Sequence, residues 1–389
     1  MRLGINGWRL QGQRTGVARY LLNIVRHWTG EAVAGRFDEV TFYTPKALDR
    51  RENPLPGNVR ERVLRSNSRM LVWENVRLGP VATDDVLFCP SFSIPLLQRG
   101  KTVVTTHEAT VAMHPEMYPP AGRLFYRRLY GWSARHATLV LTHTEAARQD
   151  IARCYGVPLD RIRVVPLAPA ALFQPVRDDA RLAAVRAKYL GSASPMFLFV
   201  GKLTARRNVP KLMQAFAELK HRHGLPHKLL VIGLNTTNLD LAGLARDLEV
   251  AADFHYLAWV PDEDLNLIYN AAEVFVMPYT YESNSLTTLE AQATGTPVIT
   301  ADTSGLSEVT GGAGTALLIS RAEVPEIGQA MLRIATEAGL RRELAEKGLA
   351  HARRFTWARS SAETLAVLEE AAKTSAPALD TRAAGKSAR

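Results

Sequence analysis

Four stretches of this chain carry residue types that can handle a sugar and a phosphate. In FLFVGKLTARRN an apolar run ends at Gly201, and Lys202, Arg206 and Arg207 crowd the short loop behind it. Cations there can clamp a diphosphate and stabilise it as a leaving group; a solvated basic turn is the plain alternative. The densest segment is VFVMPYTYESNSLTTLEAQATGTPVITA, from Val274 to Ala301. A polar loop carries Glu282, a helix is expected to start at Ser283 to Ser285, and Glu290 falls inside that helix. Both carboxylates can accept from sugar hydroxyls, and the N–H groups near Ser285 to Thr287 can face an anion. The Glu-x7-Glu spacing alone is a chance-level signal; its context of strand, loop and helix start is what counts. Near the start, NGWRLQGQRTGVARY places Gly7, Gly12 and Gly16 before a helix at Val17–Trp28, either a ligand loop or an ordinary turn. His107 closes the run TVVTTH, where its ring can serve a hydroxyl or simply pack.

These residues need strands to hold them. Short apolar runs alternate with amphipathic stretches, the pattern of α/β architecture with parallel, doubly wound sheets. Strands are expected at Arg2–Asn6, Val40–Thr44, Val86–Cys89, Thr102–His107, Thr138–Thr142 and Ile162–Leu167. A second set is expected at Met196–Gly201, Lys228–Gly233, Phe254–Leu257, Val274–Pro278, Pro297–Ala301 and Thr315–Ile319. Ala168–Val176, with two prolines, reads as a linker, so the domains divide at 1–175 and 176–354. Helices are expected at Asp179–Leu190, Pro210–Arg222, Leu340–His351 and Thr356–Lys373, and the tail 374–389 reads as disordered. Asp262-Glu263-Asp264 follows Pro261 and looks like a metal-binding Asp-x-Asp, but acids in a first helical turn explain it better.

Composition narrows the partners. With 389 residues the chain is too long for one comfortable core, and no run of about 18 apolar residues suggests a spanning helix. Charges in the first 14 residues argue against a signal peptide, and Cys89 and Cys154 fit no zinc or disulfide framework, so a cytoplasmic location is expected. Residues 1–170 hold 24 Lys+Arg against 14 Asp+Glu and so carry the whole net charge of +10. A basic half attracts anions, but no nucleic-acid motif accompanies it, and no nucleic-acid partner is expected. The stretch RLFYRRLYGWSAR from Arg123 to Arg135 and the arginines at 60, 62, 65 and 69 suit either an anionic membrane surface or a partly solvated helix on the sheet.

The motifs resemble those of the family-four (group 1) retaining glycosyltransferases. The likeness runs from Arg2 to about Lys373, carried by GKLTARRN, AWVPDEDLNLIYNAAEVFVMPY, YESNSLTTLEAQATGTPVITA and GLSEV, with TGVARY, VVTTHEATVAMHPE and LTHTEAARQDIARCYGVPLDRIRVVPLAP in the first half. The resemblance implies a GT-B fold, two Rossmann-like domains facing each other across a cleft, with the helix at 355–373 crossing back to the first. It implies that Gly16 lies against the donor's phosphates and sugar, and that His107 faces the transferring sugar. Gly201, Lys202 and Arg207 would hold the diphosphate, Glu282 the sugar hydroxyls, and the backbone of Asn284, Ser285, Leu286 and Thr287 the sugar and phosphate. Val260 would border the nucleobase and Glu290 the ribose. The chain departs from the family where Gly-Phe-Gly-Leu-Pro is usual and Ser283 to Thr287 stand instead, where Lys202 and Arg207 replace Arg then Lys, and at Glu108.

The expected activity is therefore retaining, metal-independent transfer of a hexose from a UDP- or GDP-sugar, used as substrate with no cofactor. The acceptor would be a glycan or a lipid-linked glycan in polysaccharide, lipopolysaccharide or glycolipid assembly, at the inner membrane face. A GT-B sugar-nucleotide epimerase and a non-catalytic sugar-nucleotide-binding protein are the alternatives.

Overall fold

Residues 1–12, 16–98, 100–118, 120–303 and 305–374 are described by a computed structural model of the chain. Gln13, Arg14 and Thr15 of the glycine loop lie outside that set, as does the tail beyond Thr374. Two compact units emerge: Met1–Pro166 joined by the chain from Trp357 onward, and Leu167–Thr356.

The first unit holds seven strands: β1 Arg2–Asn6, β2 Glu39–Thr44, β3 Val59–Val63, β4 Val86–Cys89, β5 Lys101–Thr105, β6 Leu139–Thr142 and β7 Ile162–Val164. They pair in the order β3-β2-β1-β4-β5-β6-β7, every pairing parallel. Central runs such as VLFC in β4 are buried throughout because helices cover both faces. β3 escapes the sequence reading: VRERV alternates charged and apolar residues, which suits an edge strand with one wet face. The helix Trp357–Lys373 returns to this unit against β4, β5 and the helix Gly16–Arg26. There the Ser361 hydroxyl donates to Ile24 O at 2.8 Å, and Arg163 pairs with Glu370.

In the second unit six strands follow the order β10-β9-β8-β11-β12-β13, again all parallel. They are β8 Met196–Val200, β9 Lys228–Ile232, β10 Phe254–Leu257, β11 Val274–Met277, β12 Val298–Ala301 and β13 Leu317–Ile319. MFLFV of β8 lies in the middle and is buried along its length. Strand order reverses beside β1 in the first unit and beside β8 in the second, and such switch points open crevices at the strands' carboxyl ends.

The segment 168–176, read as a linker, packs on the second unit. Phe173 is buried against Tyr269 with ring centroids 5.7 Å apart, and Val176 N donates to Asn270 Oδ1 at 2.7 Å. Proline content hid a buried aromatic that ties the segment down. The acids of Asp262-Glu263-Asp264 open the helix Asp262–Ala271, and Pro261 rather than Asp262 occupies its N-cap. Asp264 accepts from Lys188 Nζ at 2.6 Å and Tyr189 Oη at 2.5 Å, and no group of three or more metal-ligating side chains occurs among the described residues.

Candidate functional site

The loops after β8 and β11 meet in the second unit. Gly201 has φ +155, and a Cβ there would stand 2.1 Å from an Arg207 nitrogen and 2.6 Å from Tyr279 Oη. Only glycine lets the two side chains close over the strand end. Arg207 lies over the Tyr279 ring with its Cζ 5.0 Å from the centroid, a cation–π contact. Glu282 is buried and takes one arginine on each oxygen: Arg206 Nη1 at 3.0 Å on Oε1 and Arg207 Nη2 at 3.9 Å on Oε2. Thr280 N donates to Arg206 O at 2.9 Å, so backbone as well as charge joins the two loops. Lys202 is exposed on the same loop and pairs with no described residue.

Buried Arg207 Nε and Tyr279 Oη have no hydrogen-bond partner among the described residues. Burial pushes the Tyr279 phenol up to about 12, so it stays a donor at neutral pH. Unsatisfied buried donors are costly, and their pairing with an added acceptor is the ordinary explanation at a binding site.

The helix after Glu282 runs Leu286–Ala293, and Ser285 is its N-cap, accepting from Thr288 N at 3.4 Å. At the position of the family's glycine, Ser285 thus serves as a helix cap, worth about a few tenths of a kcal/mol over glycine. Leu286 and Thr287 contribute N–H groups that the helix itself leaves unpaired. Close approach is arranged from the other side by Gly305, where a Cβ would meet Ser283 O at 1.9 Å. Glu290 is 3% exposed and accepts from Tyr269 Oη at 3.3 Å. Tyr269 lies near the end of the helix Asp262–Ala271, and Val260, itself buried, precedes that helix. Trp259, beside Val260, was not singled out from sequence, yet its ring is 70% exposed in the loop after β10.

Gly16 and His107 belong to the first unit. Gly16 opens its helix, and no described residue beyond its own turn comes within 4 Å of where a Cβ would go. From that helix Tyr20 sets its ring edge-on to His107, centroids 5.3 Å apart. His107 Nε2 donates to Pro90 O at 2.9 Å, and its Nδ1 lies 2.8 Å from His143 Nε2. His143 Nδ1 in turn donates to Val165 O at 3.0 Å. Burial pushes His107 down to about 3 and His143 down to about 4, so both rings are neutral near pH 7. Two protons then serve three contacts, and the contact between the rings lacks one until acid supplies it. His143 was missed, although Thr-His follows both β5 and β6 and the register Thr105↔Leu141 sets the two rings side by side.

A second buried network closes β1. Asn6 Nδ2 and Ser93 Oγ each donate to Glu74 at 2.8 Å, inside a π-helical turn Glu74–Leu78. Burial outweighs these bonds and lifts the Glu74 carboxyl to about 7.

Residues 185–351 match the model "Glycosyl transferases group 1" and residues 14–168 match "Glycosyltransferase Family 4". The O-antigen chain mannosyltransferase B of Escherichia coli is 27% identical over 373 residues, 90% of this chain and 95% of its own length. A D-inositol 3-phosphate glycosyltransferase of Nocardia farcinica is 30% identical over 274 residues, 69% of this chain and 59% of that protein. Among solved structures, sucrose-phosphate synthase from Thermosynechococcus elongatus superposes with TM-score 0.73 at 19% identity, over 93% of this chain and 97% of that one. Anabaena HepE, solved with UDP and glucose, gives 0.74 at 16%, over 94% and 99%. The chain is a GT-B glycosyltransferase and belongs to the group 1, family 4 glycosyltransferases.

Proposed function

We propose that the chain transfers a hexose, with retention at the anomeric carbon, from a nucleoside-diphosphate sugar to a glycan or lipid-linked acceptor in surface-glycan assembly. One observation carries the reading. Arg206 and Arg207 face one carboxylate, Glu282, and Lys202 stands exposed on the same loop, so cations outnumber the acid among these residues at the carboxyl end of β8. Charge develops on the departing diphosphate, so prearranged cations and N–H donors there lower the barrier more than they tighten the ground state. Arg207 Nε and Tyr279 Oη supply donors to the phosphate oxygens, and the N–H groups of Leu286 and Thr287 add the helix end. Glu282, held by Arg206, is positioned to accept from sugar hydroxyls. Gly16 and His107 serve the donor from the first unit, and Val260 and Glu290 serve base and ribose.

Because side chains supply the positive charge, the reaction is proposed to need no metal, and EDTA should leave the rate unchanged. No carboxylate is assigned as a nucleophile, and the acceptor hydroxyl attacks from the leaving group's side. Trapping a glycosyl-enzyme on an Asp or Glu would overturn that route, and NMR of the product's anomeric proton reads the stereochemistry. An epimerised donor in the absence of acceptor would favour the isomerase alternative.

The donor test is thermal stabilisation by UDP, GDP, ADP and their hexose conjugates. A ligand at 100 times its dissociation constant should add about 2.7 kcal/mol, and Lys202→Ala should remove the shift. Exposed Trp259 supplies a second readout, its fluorescence changing when the matching base binds.

The relative from Escherichia coli, by its name, acts on O-antigen, and peripheral contact with the cytoplasmic membrane face is proposed here on the same footing. No helix among the described residues is long and apolar enough to span a bilayer. The helix Pro120–His136 instead exposes Leu124 and Phe125, each 54%, among Arg123, Arg127 and Arg128. An apolar strip flanked by cations suits an anionic interface. Sedimentation with phosphatidylglycerol vesicles should fall for Leu124→Asp plus Phe125→Asp.

A further inference from the structure

The first unit has a second concave, basic feature, apart from His107 and the helix Pro120–His136. Beyond β2 and β3 the parallel ladder continues into the loops: Leu64 N donates to Thr44 O at 2.7 Å and Ser66 N to Pro45 O at 3.2 Å. The two loops then part around a pocket of about 440 Å³ lined by Pro45, Lys46, Val63, Arg65, Ser66 and Asn67. Its frame is fixed. Glu61 Oε1 accepts from Leu48 N at 2.8 Å and from the Thr44 hydroxyl at 3.1 Å, and Arg50 Nε stands 3.4 Å from Glu61 Oε2. Gln11 Nε2 donates to Lys46 O at 3.0 Å, which ties the rim to the loop after β1. Trp73 Nε1 holds Leu64 O at 2.8 Å.

Against that fixed backbone, the side chains of Lys46, Arg65 and Asn67 form no hydrogen bond or ion pair with any described residue. The one carboxylate among these contacts, Glu61, is occupied beneath them. Two cations and an amide around a concavity make a donor set for an oxyanion of charge near −2, since guanidinium can bind two oxygens at once and ammonium a third. The place fits too: ligands of doubly wound sheets sit beyond the strands' carboxyl ends, and β2 and β3 lie roughly 5 and 10 Å sideways from β1.

We propose that Lys46, Arg65 and Asn67 bind a phosphate group of the acceptor, as a phosphate monoester or diphosphate. The proposal rests on the transferase reading only for the word acceptor; the oxyanion site stands on the pocket itself. The probe is inorganic pyrophosphate, titrated calorimetrically into the full chain. The parent should bind two equivalents, one at Lys202 and Arg207 and one here. Lys46→Ala plus Arg65→Ala should lose one equivalent, or weaken it at least tenfold, while Lys202→Ala plus Arg207→Ala loses the other. Both residues are exposed, so the melting temperature of the first double variant should stay at the parent's value. If that variant keeps two full equivalents, the proposal is overturned. If the second variant alone keeps two, the donor reading fails and this site survives. Binding to phosphatidylglycerol vesicles should be unchanged in the first variant; a tenfold loss there with pyrophosphate binding intact would make the loops a membrane contact and overturn the proposal.

Discussion

At the carboxyl end of β8 the ionisable groups meet as opposite charges, whereas at the ends of β1, β5 and β6 burial pushes them toward the neutral form. Arg206 and Arg207 each face Glu282, one on each carboxylate oxygen. His107, His143 and Glu74 have hydrogen-bond partners, yet burial moves all three toward the uncharged form. The difference teaches what each surface can bind. A charged cradle suits a diphosphate; a neutral network of donors and acceptors suits hydroxyls, which must be recognised without being charged.

The comparison can be broken at its charged half first. Arg207→Ala should cut transfer by about 100- to 1,000-fold, equivalent to about 3–4 kcal/mol of barrier, as for loss of other preorganised donors. A loss below tenfold in steady-state rate would mean that charge is not how the second unit works. The neutral half responds to pH instead. Glu74 holds its proton in the fold to about pH 7 while the unfolded chain releases it near 4.5, so stability declines as pH rises through that window. Glu74→Gln should therefore gain on the order of 3 kcal/mol at pH 8 and nothing at pH 4.5, read by denaturant unfolding at both pH values.

The histidine pair has the opposite sign. Below about pH 6.5 the unfolded chain takes up protons that the folded rings refuse until about 4 for His143 and 3 for His107. Stability should fall on acidification by up to about 1.4 kcal/mol per pH unit for each ring, partly offset by Glu74. His143→Gln should flatten that acid limb by one proton's slope; an unchanged limb would show that the pair is not neutral in the fold. The smallest effect belongs to the helix cap. Ser285→Gly, which restores the family's usual residue, should cost only a few tenths of a kcal/mol in unfolding free energy. A larger cost would show that the hydroxyl, not the close backbone, shapes the loop.

Most of the sheet framework was legible because parallel strands buried on both faces read as unbroken apolar runs, as VLFC and MFLFV do. VRERV was not, since an edge strand with a wet face has the composition of a loop. The loops that carry Lys202, Arg207 and Glu282 were placed correctly after β8 and β11, because a run's end marks where a parallel sheet presents ligands. What spacing could not supply were partners fixed by folding. Arg206 is the closer cation to Glu282, Tyr279 lies beneath Arg207, and His143 reaches His107 across 36 positions. Trp259 was invisible for another reason: exposure is a property of the fold, and an aromatic in sequence reads first as core.

The return of the helix Trp357–Lys373 to the first unit also sets an order of assembly. Leu167–Thr356 is continuous and holds all six strands of its sheet, so it can fold as soon as it leaves the ribosome. The first unit begins earlier yet lacks this helix until residues 357–373 have been made. Until then the surface that Leu365, Leu368 and Ala371 cover stays open, and Trp28 Nε1 lacks its contact with Ser361 O. A nascent chain cut before Trp357 would thus hold every strand of both sheets and still leave the first unit without the helix that covers it.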